Sequence, residues 1–232
     1  MNILVFENKE EGSYCAAEMM KEVIHQKMLA NNVTVLGLAT GSTPIETYNI
    51  LNRFYENGDL SFKNVVTFNL DEYYPISSDD VNSYRYFMNT KLFFKNDISI
   101  ENTYVPSGDI ERKDIIRHCA NYDTLIDEHG GIDIQLLGIG LNGHIGFNEP
   151  KSEKNSLTRL VALSKTTRIA ASDAFGGIDQ VPEEAISMGI KSILKAKQII
   201  LMAWGKSKAE IIKKLVDFEA TDEIPATYLK EH

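Results

Sequence analysis

Short apolar, β-branched runs alternate along the chain with longer stretches in which apolar residues recur at helical spacing. The runs Ile3–Phe6, Thr34–Leu38, Val65–Asn69, Ile132–Leu137, Leu160–Leu163 and Gln198–Ala203 are expected as strands. Between them, Ala16, Met19, Met20, Val23, Ile24 and Met28 share one helical face, and Ile45–Phe54, Val81–Leu92, Glu111–His129, Glu183–Leu194 and Lys208–Leu215 supply further helical patterns. This β-then-α order predicts an α/β fold with a mainly parallel sheet covered by helices on both faces. Val65–Phe68 and Ile134–Leu137 are apolar on both sides, as a covered parallel sheet requires. No repeat, low-complexity segment or linker breaks the pattern, so residues 1–232 are expected to form one domain.

Composition narrows the class without changing this picture. With 43% hydrophobic and 25% charged residues, the chain is neither disordered, collagen-like nor a coiled coil. Cys15 and Cys119 match no metal or redox spacing and read as structural thiols of a reducing compartment. The N-terminus MNILVFENKE lacks the basic region of a secretion signal, and no apolar run reaches membrane-spanning length, so a cytoplasmic location is expected. A formal charge of -9 disfavours nucleic acid and anionic lipid as partners. An anionic small molecule would need a local positive site built from backbone N–H groups, a helix N-terminus and a few cations.

In an open parallel sheet, ligands gather outside the carboxyl ends of the strands. Three post-strand loops are unusual. After Thr34–Leu38 come Thr40, Gly41, Ser42, Thr43 and Pro44, hydroxyls and a glycine at a helix start, which can cradle an anion or simply cap the helix. After Val65–Asn69 come Asp71, Glu72, Tyr73 and Tyr74, where one carboxylate can act as a base or both can form a solvated acidic turn. Neighbouring side chains at a strand end point in opposite directions, so at most one of Asp71 and Glu72 faces a given pocket while the other orients loops.

The third loop, GIGLNGHIGFNEP from Gly138 to Pro150, carries the most chemistry. Its GIGLNG string matches the dinucleotide fingerprint only formally, because Pro150 leaves little room for a crossover helix and no acidic residue ends a following strand at the right distance. What remains is a glycine-rich loop holding Asn142, His144, Asn148 and Glu149, in which His144 and Glu149 can form an acid/base pair. No ligand pair at helical spacing supports a metal site, Ser42 lies in no nucleophile elbow, and Cys15 belongs to a helical apolar face. Lys208 opens a helix, a placement that opposes the dipole and suits a compensating anion, although a solvated lysine is the simpler reading. His25, His118 and His129 belong to helix surfaces and core.

Together LATGSTP, FNLDEYY, GIGLNGHIGFNEP and AISMGIKSILKAKQIILMAWGKSKA resemble the glucosamine-6-phosphate deaminase family, within the sugar-phosphate isomerase and 6-phosphogluconolactonase superfamily. The resemblance runs from Val33 to Leu229. It implies a Rossmann-like α/β fold and conversion of glucosamine 6-phosphate to fructose 6-phosphate and ammonia, with no metal or nucleotide cofactor. By that resemblance Asp71 is the enolisation base, His144 the ring-opening acid/base, Glu149 its orienting carboxylate and Asn142 a third polar partner. Glu72, the neighbour in the Asp71 motif, is expected with the substrate-binding residues. Thr40, Gly41, Ser42, Thr43 and Lys208 match phosphate and sugar contacts.

Two positions depart from the pattern. Many members carry Asp where this chain has Asn142, so help to His144 must come through a hydrogen bond. Asp173 falls where members place a phosphate-binding Arg, which turns attention to Arg168, Lys206 or Arg159. The chain stops at His232, before the further strand and tail of other members, so no effector regulation through that tail is expected. A galactosamine 6-phosphate deaminase and a 6-phosphogluconolactonase-like hydrolase are the competing activities. The sequence leaves both a monomer and a homo-oligomer open.

Overall fold

The computed structural model describes residues 1–232. Every residue of β1 (Thr34–Leu38) and β2 (Val65–Asn69) is buried, which puts both strands inside a sheet rather than at its edge. They pair in parallel, β1 pairs in parallel with β5 (Ile134–Gly138), and β4 (Thr103–Tyr104) and β8 (Ile199–Met202) complete a five-stranded sheet in the order β4-β2-β1-β5-β8. Alternation along the strands divides the core between the two faces. Leu36, Leu38, Val65, Ile134 and Leu136 pack with Met20 and Ile24 of α1 (Lys9–Leu29) and Tyr48 and Leu51 of α2 (Ile45–Glu56). Val35, Val66, Phe68 and Leu137 pack on the other face with Tyr122 and Ile126 of α4 (Ile115–Glu128) and Ile211 and Leu215 of α7 (Ala209–Asp217).

A second sheet lies outside the expected pattern. It is antiparallel, in the order β3-β7-β6, and consists of β3 (Asp71–Tyr74), β6 (Arg159–Ala162) and β7 (Glu184–Ser187). The expected strand at 160–163 therefore exists but belongs to this small sheet. The helical pattern Glu183–Leu194 is corrected: it divides into β7 and the short helix α6 (Ile190–Leu194), because the apolar run AISMGI satisfies a strand and a helical turn equally well in isolation. Register places Asp71 opposite Ser187, and Ser187 opposite Arg159.

Ile3–Phe6 forms no strand. Ile3 is 55% and Val5 89% exposed, and strand propensity without a neighbour to pair with does not make a strand. The Val81–Leu92 pattern shortens to α3 (Tyr84–Lys91), where Ser83 caps the helix by accepting from the Tyr86 N–H. One helix was invisible to periodicity: α5 (Lys165–Phe175) buries no residue fully, so it has no apolar stripe to detect. It is bounded instead by its caps, Ser164 accepting from Thr167 N–H and Gly176 in the left-handed conformation. No helix is long and apolar enough to cross a membrane.

Candidate active site

The hydroxyl loop leaves β1 at its carboxyl end. Pro44 occupies the cap position of α2 and no side chain caps that helix, so the hydroxyls of Ser42 and Thr43 are not consumed as caps. Gly41 has φ +89 and nothing lies within 4 Å of the place a Cβ would take, so the backbone here opens to a visitor. The loop is braced from behind, where the Trp204 indole donates to the Thr43 carbonyl at 3.2 Å.

The DEYY segment is not the free loop expected but the edge strand β3. Its alternation separates the two carboxylates. Glu72 is 1% exposed, its Oε1 accepts from Tyr73 N–H and Tyr84 N–H at 2.9 Å, and its Oε2 accepts from Arg85 N–H at 2.9 Å. Both oxygens are thus spent holding the start of α3. Glu72 is thus the member of the pair that orients a loop. Burial pushes its carboxyl up to about 7, against the pull of those three N–H groups.

Asp71 is 5% exposed and is pushed up to about 8, first by burial and then by the charge of Glu72, with no hydrogen bond to offset either. It looks into the third loop. A Cβ at Gly146 (φ +56) would lie 3.2 Å from Asp71 Oδ2 and 3.2 Å from Ser187 Oγ, so only glycine lets the backbone come this close to the carboxyl.

The third loop folds on itself. Gly140 N–H donates to the His144 carbonyl at 2.9 Å, and the imidazole lies so close over Gly140 that a Cβ there would come within 2.3 Å of its Cε1. His144 Nδ1 stands 3.5 Å from Glu149 Oε2, a charge-pair separation rather than a formed hydrogen bond. The same oxygen accepts the Asn142 amide at 2.6 Å, while Asn142 Oδ1 accepts from His144 N–H at 3.3 Å. The other oxygen, Oε1, accepts from Ser164 Oγ at 3.0 Å and from Thr167 Oγ1. Burial opposes the Glu149 charge, but nearby His144, the Thr167 hydroxyl and the Asn142 amide outweigh it and hold this carboxyl down at about 2. Asn142, His144 and Glu149 therefore meet as the sequence implied, and Asn142 acts through an amide hydrogen bond.

Asn148 is fully buried, donating to the Ile145 and Met188 carbonyls and accepting from Arg159 Nη1 at 2.9 Å. Phe147 N–H donates to Ser187 Oγ at 3.0 Å. Ser164, Thr167 and Ser187 escaped the sequence reading. Ser164 could have been found as the cap of an unrecognised helix, whereas Ser187 carries no local signal.

The cations divide. Arg168 donates to Glu183 at 3.1 Å and to the Ile178 and Val181 carbonyls, so its guanidinium is engaged away from the loops, and Arg159 is committed to Asn148. Lys208 Nζ donates to the Ile139 carbonyl at 2.7 Å, which ties it to the start of the third loop, and burial lowers its pKa. Asp173 is exposed on α5. No three His, Cys, Asp or Glu side chains converge as metal ligands would. Chemically, the site joins a buried carboxyl that ionises reluctantly to an imidazole backed by a carboxylate that stays charged, an arrangement suited to moving protons at two places on one ligand.

Residues 7–232 match the family model of glucosamine-6-phosphate isomerases and 6-phosphogluconolactonases. Relatives named glucosamine-6-phosphate deaminase are similar throughout. The one from Clostridium perfringens (strain 13 / Type A) is 47% identical over all of this chain and 93% of its own length, and the one from Thermoanaerobacter sp. (strain X514) is 45% identical over all of this chain and 89% of its own. A solved structure described as a monomeric glucosamine-6-phosphate deaminase superposes with a TM-score of 0.95 at 43% identity, covering 100% of this chain and 94% of that one.

Proposed function

The chain belongs to the family of glucosamine-6-phosphate isomerases and 6-phosphogluconolactonases, and from that premise we propose that it converts glucosamine 6-phosphate to fructose 6-phosphate and ammonia. Two supports are independent of each other: full-length relatives with that name, and a site equipped for proton transfer. The observation that carries the reading is the meeting of Asp71 with Gly146, so that the high-pKa carboxyl lies against the same loop that carries His144, two residues before Gly146 in the chain, and Glu149.

In this mechanism His144 takes the proton of the anomeric hydroxyl and supplies one to the ring oxygen, opening the hemiacetal. Glu149 holds the imidazole in place and stabilises the cation that forms in passing. Asp71 then takes the proton from C2 of the open chain and delivers it to C1. Carbon 2 becomes an imine carbon, and water hydrolyses it to the ketone with release of ammonia. A carboxyl held away from water is a stronger base than a solvated one, which the weakly acidic C2 proton requires. Ser42, Thr43 and the backbone at Gly41 receive phosphate and sugar oxygens, and Lys208 supplies the positive charge that neither Arg168 nor Asp173 offers.

Ammonia release measured with glucosamine 6-phosphate and with galactosamine 6-phosphate tests the substrate; preference for the galacto sugar, or no release from either, rejects the reading. Solvent deuterium appearing at C1 of the product tests the proton transfer, and its persistence at wild-type rate in Asp71→Asn removes Asp71 from the role of base.

A further inference from the structure

Glu149 is tied by both of its oxygens, and the two ties come from different parts of the chain. Oε2 faces the third loop, where it accepts the Asn142 amide at 2.6 Å and stands 3.5 Å from His144 Nδ1. Oε1 faces the N-terminal end of α5, where it accepts from Ser164 Oγ at 3.0 Å and from Thr167 Oγ1. The two hydroxyls lie 3.0 Å from each other, and Ser164 Oγ accepts the Thr167 N–H at 3.1 Å. Only that last contact is helix capping. In the reciprocal form of such a cap the third helical residue is a Glu or Gln that reaches back to the cap residue's N–H. Here it is Thr167, and its hydroxyl turns outward to Glu149. Packing does not account for the contact either: α5 buries no residue fully, and Ala171 and Phe175, which meet the apolar core, lie one and two turns further on. The positive end of an 11-residue helix thus sits against the carboxylate of the acid/base pair, and its dipole and two hydroxyl donors favour the charged form.

We propose that Ser164 and Thr167 are positioning residues for this reaction: by holding Oε1 from α5 they fix the Glu149 carboxylate with Oε2 toward His144, so that an oriented charge steadies the imidazole while it moves protons at the sugar ring. Both hydroxyls act through Glu149. The inference rests on the deaminase reading for the step it serves and not for the contacts. A carboxylate with one oxygen released can turn about its last bond, and a small misplacement of a catalytic group costs more rate than the lost contact alone.

Thr167→Val keeps the size and branching of the side chain and removes the hydroxyl, whereas Thr167→Ser keeps the hydroxyl. With turnover read as ammonia release, Thr167→Val is expected to lower kcat about ten- to thirtyfold at nearly unchanged KM, the scale of one hydrogen bond to a charged group. Thr167→Ser is expected to recover most of that loss. Ser164→Asp keeps an acceptor for the Thr167 N–H and puts a negative charge where Glu149 has a donor; its kcat is expected to fall further than in Thr167→Val, whereas a cap alone would leave it unchanged. The Glu149 carboxyl, followed by the NMR shift of its carboxyl carbon, is expected to titrate at a higher pH in Thr167→Val than in wild type. That readout decides the matter even if the wild type were to release no ammonia, an outcome that would overturn the deaminase reading alone, and an unmoved titration would then overturn the positioning role as well. With an active wild type, wild-type kcat in both Thr167→Val and Ser164→Asp would leave the two residues as the cap of α5 and nothing more. Equal losses in Thr167→Ser and Thr167→Val would also overturn the proposal, because the hydroxyl would then not be the group that matters.

Discussion

Replacing Asp71 by asparagine is expected to stabilise the fold while it removes turnover. Burial and Glu72 raise this carboxyl from 3.8 to about 8. A folded-state pKa above the unfolded one means that the folded protein binds the proton more tightly, so stability contributed by the neutral acid is complete below about pH 4 and is lost as pH rises toward 8. At about 1.4 kcal/mol per pH unit, the wild type gives up under about 2 kcal/mol by pH 5 and about 4 kcal/mol by pH 7, and the loss levels off above about pH 8. Asparagine has the same shape, cannot ionise and does not incur this cost. In urea denaturation the gap between Asp71→Asn and wild type should widen across that window, and at pH 7 the melting temperature should rise by roughly 10 °C for a chain of this length. The kcat/KM of the wild type should rise over the same pH range as the base ionises. A stability gap that is flat with pH, or an asparagine variant less stable than wild type at pH 8, would refute the claim that desolvation perturbs this group.

Glu149 works in the opposite sense: its carboxyl is held below its ordinary value, so the stability it contributes is present above about pH 4.5 and disappears toward pH 2. Glu149→Gln should therefore cost about 2–3 kcal/mol at pH 7 and almost nothing in acid by denaturant titration, and lower kcat by about 10²- to 10⁴-fold. Gly146→Ala forces a side chain into the left-handed region and against Asp71 and Ser187; a loss of about 1–2 kcal/mol with a larger fall in turnover is expected, and full activity would show that the close approach is unnecessary. Glu72→Ala orphans the N–H groups of Tyr73, Tyr84 and Arg85 and should destabilise the protein by about 1–3 kcal/mol, read as a lowered melting temperature.

How much was legible follows the range of the interaction concerned. The parallel strands at 34–38 and 65–69 appear in the structure at the expected residues, because burial on two faces demands a continuous apolar run and few other contexts produce one. The opposed directions of Asp71 and Glu72 also followed from the strand period alone. Local pattern failed where two structures share it, as in residues 183–194, or where a helix lacks a buried stripe, as in α5. It failed at Ile3–Phe6 for a different reason, since a strand requires a partner and no local sequence states whether one is present.

The amino-acid sequence by itself determined the alternating elements, the three chemically loaded loops and, through long ordered motifs, the family. The tertiary structure alone decided which carboxylate is free, since the N–H groups that occupy Glu72 come from α3 and the close approach of Gly146 to Asp71 comes from a loop some 75 residues away. It alone supplied Ser164 and Thr167 to Glu149 and stacked Tyr84 on Phe147. The division has one physical cause. Periodicity and turn chemistry act between neighbours in the chain, whereas desolvation, pKa and hydrogen-bond partners depend on what packing brings together from far along it.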